Sequence, residues 1–301
     1  MSQSLSSKAK YPYGFTPTHA FLGWVFIAVL ILVGVVTWYF LRDHSPHVAA
    51  ALLGGSAAAL ATAVGTIPLL FAHYLSGRVQ DSMMGFGAGV MLAACSFSLI
   101  IPGIDAAAGL GFGKWHASFV IGTSILLGAA VMFMIEWLAP HEHFIAGTDT
   151  AQARTIRRTW LFIFAIALHN VPEGLAIGVA FGGGDTMQAS ALAAGISIQD
   201  IPEGMVVAVA LLGAGYKRSH AVLIGVASGM VEPVAAVLGA LIVNVSSTLL
   251  PWGMGFAAGA MLFVISHEMI PETHRKGHEA AATTGLMIGF VLMMMLDVAL
   301  G

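Results

Sequence analysis

The chain has 301 residues, of which 58% are hydrophobic and only 9% charged, against roughly 25% charged residues in a soluble domain. With a mean hydropathy of +0.88, this excludes an ordinary soluble fold and predicts an all-α polytopic membrane protein. The net charge of −3 leaves no basic footprint for nucleic acid, and the lone cysteine, Cys95, excludes an intrachain disulfide or a thiolate-rich metal site.

Apolar runs long enough to cross the hydrocarbon predict nine transmembrane helices, spans 1 to 9, at roughly 20–41, 48–74, 84–105, 116–139, 159–182, 188–213, 220–248, 252–271 and 282–300. Span 1 follows a polar segment and has no small-residue cleavage pattern after it, so it reads as a retained helix and not a signal peptide. Residues 1–47 are then a cytoplasmic segment with an accessory helix. Residues 48–301 form the core, with a histidine-containing cytoplasmic loop at 140–158. Lys8, Lys10, Arg78, Arg154, Arg157, Arg158, Lys217, Arg218, Arg275 and Lys276 fall on one side, and only Arg42 and Lys114 on the other. By the positive-inside rule the N-terminus is cytoplasmic and the C-terminus outside. The 36 glycines read as sites of close helix contact.

Residues 84–100, MGFGAGVMLAACSFSLI, align without gaps on residues 254–270, MGFAAGAMLFVISHEMI, with nine of seventeen positions identical. These segments fall in spans 3 and 8 and so cross in opposite senses. A second pair, His169-Asn170-Val171-Pro172-Glu173-Gly174 and Gln199-Asp200-Ile201-Pro202-Glu203-Gly204, falls in the antiparallel spans 5 and 6. Together they predict a pseudo-two-fold axis between spans 5 and 6 that exchanges spans 2–4 with 7–9. Many secondary transporters are built on such inverted repeats, with the substrate site near the midplane.

Among the acids inside apolar stretches five stand out, Glu173, Asp200, Glu203, Glu232 and Glu268, whereas all twelve Lys and Arg residues lie outside these stretches. A carboxylate at the bilayer centre costs on the order of 3 kcal/mol even on a lenient scale, so such groups mark an ion path or a proton relay. His169 and Glu173 are four residues apart, as are Gln199 and Glu203, and Asp200 is three from Glu203; each motif therefore stacks its polar groups on one helix face. Pro172 and Pro202 remove a backbone donor and push aside the carbonyls of Leu168 and Ile198. Gly174 and Gly204 let another helix or a hydrated ion approach. A lone membrane histidine is more often a packing residue than a ligand. Six polar groups in matching register on two antiparallel helices predict a divalent-cation site instead. Imidazole with carboxylate and amide oxygens suits zinc, iron, manganese or cadmium better than an alkali ion or copper(I). Glu232, before Pro233, adds a carboxylate. Met91 offers a soft thioether, although in a chain with 16 methionines core packing is at least as good a reading.

The two Pro-Glu-Gly motifs and the span pattern resemble the ZIP (Zrt/Irt-like) family of divalent-metal transporters, in its bacterial branch, over spans 2 to 9. The resemblance implies a transporter and not an enzyme, with Zn2+ as substrate, Cd2+ as a surrogate, and iron or manganese as further cargo. It implies two ions at the centre. Met91, His169, Glu173, Gln199, Asp200 and Glu203 surround the transported ion, and Asn170, Asp200, Glu203 and Glu232 a second. It implies an elevator-like movement of spans 2, 5, 6 and 7 past the others. It also implies a multi-pass protein of the bacterial inner membrane with a periplasmic C-terminus, and it is compatible with a homodimer. Span 6 departs from the commoner family version, which has His at the places of Gln199 and Glu203 and Glu at that of Asp200; the additional carboxylate favours bridging of two ions.

With this orientation Asp105 and Asp297 lie at an outer entrance, where they attract cations. His267 and Glu268 end span 8 towards the cytoplasm near His141, Glu142 and His143 of the long loop, and near His274 and His278 of the next, as an exit chain. Solvated helix ends and an ordinary polar loop are the plain alternatives. Two other functions stay open. An intramembrane metallohydrolase would use the same ligands for a catalytic zinc, although HExxH and Gly-x-Ser-x-Gly are missing from the sequence. A proton-coupled exchanger or channel would use the acids as a relay.

Overall fold

A computed structural model of the protein describes residues 17–71, 75–138, 151–275 and 277–300, and among these the regular elements are all helical. The helices are α1 (Pro17–His44), α2 (Pro46–Phe71, with a turn at Ile67), α3 (Gly77–Gly109), α4 (Lys114–Leu138), α5 (Ala151–Gly182), α6 (Thr186–Gly213), α7 (Arg218–Val245), α8 (Leu249–Thr273) and α9 (Glu279–Leu300). Eight of these, all but α5, are long and apolar enough over their described residues to cross a membrane. Trp115 and Trp137, both exposed, stand near opposite ends of α4. Twenty-two residues of helix rise about 33 Å, close to the thickness of a bilayer core, so the two indoles sit where interfacial aromatic belts lie.

Lipid supplies no hydrophobic drive between helices, so association depends on close backbone approach. Four interfaces carry the fold: α2 on α6, α5 on α7, α3 on α9 and α4 on α8. Each sets a glycine against a carbonyl of its partner. Gly204 of α6 faces the Thr62 carbonyl, Gly178 of α5 that of Ala236, Gly85 of α3 that of Ala282, and Gly128 of α4 that of Phe256, so tightly that a Cβ at any of the four would overlap the oxygen. The buried interior is accordingly rich in alanine, with Met91, Leu99, Ile177, Leu192, Met261 and Met293 as its larger fully buried members. Cys95 is a packing residue there, its thiol donating to the Ala258 carbonyl at 3.7 Å. Helix α1 leans on α2 and on the first half of α7, where Gly23 meets Leu223, and leaves Phe21, Phe26, Leu32 and Phe40 exposed.

Three spans predicted as continuous helices are interrupted. In α3 the residues Ala94–Ile100 form a π-helical turn, and in α8 Ile265–Met269 do the same. Pro102 and Pro271 follow these turns; each lacks an N–H and crowds the carbonyl four residues back, Ser98 and His267 respectively, which a wider turn accommodates. Helix α7 breaks at Met230, with one segment ending at Gly229 and the next starting at Val231, just ahead of Pro233.

Candidate metal centre

The sequence pattern puts His169, Asn170 and Glu173 on α5, Gln199, Asp200 and Glu203 on α6, and Glu232 at the break in α7. The structure brings these together. Gln199 donates from Nε2 to Glu173 Oε1 at 2.5 Å and lies 3.0 Å from Asp200 Oδ1, so one amide spans the two motifs. Asn170 faces the other way. Its Nδ2 donates to the Ser228 carbonyl at 3.1 Å and to Glu232 Oε1 at 3.0 Å. The break at Met230 makes this possible, because it takes the Ser228 carbonyl out of the helical ladder and leaves it for a side chain. Glu232 then stands in the first turn of the helix Val231–Val245, where the positive end of the helix dipole favours a carboxylate. Gly174 is used for helix approach: a Cβ there would come within 2.5 Å of the Glu232 carbonyl.

Ligand atoms of Glu173, Asp200 and Glu203 all lie within 4.8 Å of one another. Glu173, Asp200 and Glu232 are buried, and neither these three acids nor Glu203 pairs with a Lys or Arg among the described residues. Asn170 Oδ1, Glu173 Oε2, Gln199 Oε1, Asp200 Oδ2, Glu203 Oε1 and Glu232 Oε2 are buried oxygens with no hydrogen-bond partner. The amide donors in reach, Gln199 Nε2 and Asn170 Nδ2, are spent on Glu173 Oε1, Asp200 Oδ1 and Glu232 Oε1. A convergent set of unpaired acceptors is costly to bury and is chemistry for a hard or borderline cation.

His169 is also buried, and its Nε2 stands 2.8 Å from Glu268 Oε2, though out of line for a hydrogen bond. Glu268 thus reaches the centre itself; the π turn of α8 swings it inward from a place the sequence assigns to the cytoplasmic end. Met91 is buried on α3, one turn beyond Gly87, and a Cβ at Gly87 would lie 3.4 Å from Gln199 Oε1. That places Met91 on the face of α3 turned towards α6.

On the predicted outer side Asp105 and Asp297 line one cavity of about 380 Å³, together with Asp185, Gln188 and Phe97. Asp297 is nearly buried and accepts from Ser98 Oγ at 2.5 Å. Ser98 belongs to the π turn of α3 and aligns with Glu268 in the repeat. On the opposite side His267 lies 3.0 Å from Glu136, and His278 lies 2.8 Å from the fully buried Asp81. His141 and His143 lie outside the described residues. Sequence reasoning missed Asp185, Glu136, Asp81, Ser98 and Thr62. Asp81 carried no signal because it precedes the apolar run of span 3 close to Arg78, and Glu136 because it lies near the end of span 4 and outside the repeated motifs; single Ser and Thr residues are indistinguishable from packing residues.

The fold and the site define an integral membrane protein with a buried, acceptor-rich centre between three helices. Residues 139–297 match the family model described as ZIP Zinc transporter. The chain is 47% identical over 273 residues to zinc transporter ZIPB of Bordetella bronchiseptica, covering 91% of this chain and 88% of that protein. It is 43% identical over 252 residues to zinc transporter GufA of Myxococcus xanthus, 84% of this chain and 99% of the relative. It is 32% identical over 342 residues to human zinc transporter ZIP11, 87% and 100% of the two chains. The chain belongs to the ZIP family.

Proposed function

We propose that the protein moves divalent transition-metal ions, zinc foremost, across a membrane into the cytoplasm through a two-ion centre on α5, α6 and α7. Membership of the family makes it a metal transporter and not an enzyme. The observation that carries the site is the set of six buried, partnerless oxygens on Asn170, Glu173, Gln199, Asp200, Glu203 and Glu232, with no Lys or Arg paired to the acids among the described residues. Met91, His169, Glu173, Gln199, Asp200 and Glu203 hold the transported ion. Asn170, Asp200, Glu203 and Glu232 hold the second. Cadmium, matching these ligands in softness and charge, serves as a surrogate.

Nine membrane spans in inverted repeats are supported by the packing. An axis between α5 and α6 exchanges the α2–α6 interface with α7–α5 and the α3–α9 interface with α8–α4, and both π turns fall in the aligned segments. Two of these interfaces, with the further contact of α2 on α7, join α2, α5, α6 and α7, and the other two, with the contact of α3 on α8, join α3, α4, α8 and α9, which supports an elevator-like movement of the first group. The charge asymmetry puts the N-terminus in the cytoplasm of a bacterial cell and Asp105 and Asp297 at a periplasmic mouth. Glu268, which stands against His169 at the centre, then begins the cytoplasmic exit, and His267, His141 and His143 continue it. A homodimer in the inner membrane is part of this reading.

Counting zinc bound to the purified protein, alongside zinc uptake into liposomes with and without a proton gradient, tests it. Two ions per chain and uptake that saturates with zinc are expected. Fewer than two bound ions would remove the second ion. Proton flux without metal uptake would replace the transporter with a relay.

A further inference from the structure

Thr62 lies in the middle of α2, a helix that contributes none of the ligands assigned above. It is buried, and its Oγ1 lies 3.2 Å from Glu232 Oε1 and 3.3 Å from the Ala58 carbonyl one turn back. A threonine hydroxyl has one proton to give, and a carboxylate is the stronger acceptor of the two. Glu232 Oε1 therefore receives two donors, Asn170 Nδ2 and Thr62 Oγ1, from two different helices. Its other oxygen, Oε2, is buried and receives none. That asymmetry distinguishes the two oxygens: one is tethered from two helices, and the other is buried and free of donors.

The backbone around Thr62 is built to keep the hydroxyl in place. Gly204 of α6 presses on the Thr62 carbonyl, and Gly229, at the break in α7, lies so close that a Cβ would stand 2.9 Å from Thr62 Cβ. Thr62 is thus wedged between the helix that carries Asp200 and Glu203 and the helix that carries Glu232. Side chains that orient a ligand from behind commonly set metal affinity by about 10-fold to 100-fold.

We propose that Thr62 is a positioning residue of the metal centre, whose hydroxyl, with the Asn170 amide, holds Glu232 Oε1 so that Oε2 faces the second cation. This rests on the assignment of Glu232 to that cation. It also ties α2 into the unit that carries the ions, since the tether joins α2 to α7 through a side chain of the centre itself.

The test titrates cadmium into purified full-length protein, reading the number of ions and the affinity of each, for the wild type, T62V, T62S and E232Q. Thr62→Val keeps the volume and removes the hydroxyl. The second ion is expected to weaken by about 10-fold to 100-fold while the first stays within about threefold, and Thr62→Ser is expected to restore the second. Two ions bound by T62V with wild-type affinities would overturn the proposal, as would T62S failing as badly as T62V, since the methyl group and not the hydroxyl would then matter. If T62V does not fold, Thr62→Ala, which adds no apolar bulk beside the carboxylate, carries the same readout. E232Q separates the two claims. If it leaves the second ion intact, the assignment of Glu232 fails; if it loses that ion while T62V and T62A do not, only the role of Thr62 fails.

Discussion

Gln199 on α6 and Glu173 on α5 are joined by an amide-to-carboxylate hydrogen bond of 2.5 Å, while Gln199 Oε1 and Glu173 Oε2 are left without partners. The same amide nitrogen reaches Asp200 Oδ1 at 3.0 Å. Gln199 therefore does two things at once: its nitrogen keeps two neighbouring carboxylates from repelling each other freely, and its oxygen joins them as an acceptor. Both motifs of the internal pair are needed for this, one on each helix.

Glu173→Ala and Asp200→Ala are each expected to reduce zinc uptake by more than about 100-fold, because each removes an oxygen ligand of the transported ion. Folding should survive. Removing an unpaired carboxylate from the membrane interior lifts a cost on the order of 3 kcal/mol, so the thermal unfolding midpoint of the purified variants should stay level or rise. Uptake per folded molecule at the wild-type rate, with most of the protein lost to misfolding, would show these acids to be structural.

For Glu232→Ala a partial defect is expected. Its carboxylate lies with Asn170 on the α7 side of the centre, apart from the group formed by Glu173, Asp200 and Glu203. Metal counting should give one tightly bound ion, and liposome uptake should persist at a reduced rate. Equal loss of both ions would mean that the centre binds its cations as one indivisible unit.

The helix contacts make a separate prediction about stability. At Gly178 an added Cβ would overlap the Ala236 carbonyl, whereas at Gly34 in α1 it would meet nothing within 4 Å. Gly178→Ala should therefore cost about 1–3 kcal/mol through overpacking against rigid backbone. Gly34→Ala should be neutral or stabilising by up to about 1 kcal/mol, the difference in helix propensity. Thermal unfolding in one detergent compares them directly, and equal midpoints would show that α5 and α7 separate without penalty.

The parts of the centre legible in the sequence are those whose chemistry conflicts with their surroundings. Acids within apolar runs stand out because hydrocarbon tolerates them only for a reason, and the recurrence of Pro-Glu-Gly exposed the pairing of α5 with α6. What stayed hidden depends on geometry that no local pattern carries. Glu268 reads as a helix-end residue until the π turn of α8 points it at His169. Ser98 reads as a packing residue until the matching turn of α3 sets it against Asp297. The break at Met230 follows from Pro233 in hindsight, but Pro172 and Pro202 sit inside helices that run on through them. The break in α7 leaves the Ser228 carbonyl outside the helical ladder, and its partner is Asn170, 58 residues away in sequence.

Metal binding should strengthen as pH rises. Carboxylates and imidazoles hold a cation only in their deprotonated forms, so protons and metal compete for the same atoms. The sign follows from mass action: at low pH the acceptors on Glu173, Asp200, Glu203 and Glu232 are occupied by protons, and metal must displace them. Affinity for cadmium is expected to rise between about pH 5 and pH 7, the interval in which free carboxyl and imidazole groups complete their titration, with protons released on binding. Isothermal titration at pH 6 in two buffers of different ionisation enthalpy counts those protons. A count of zero, with affinity flat across the range, would mean that the carboxylates between α5, α6 and α7 are not the ligands.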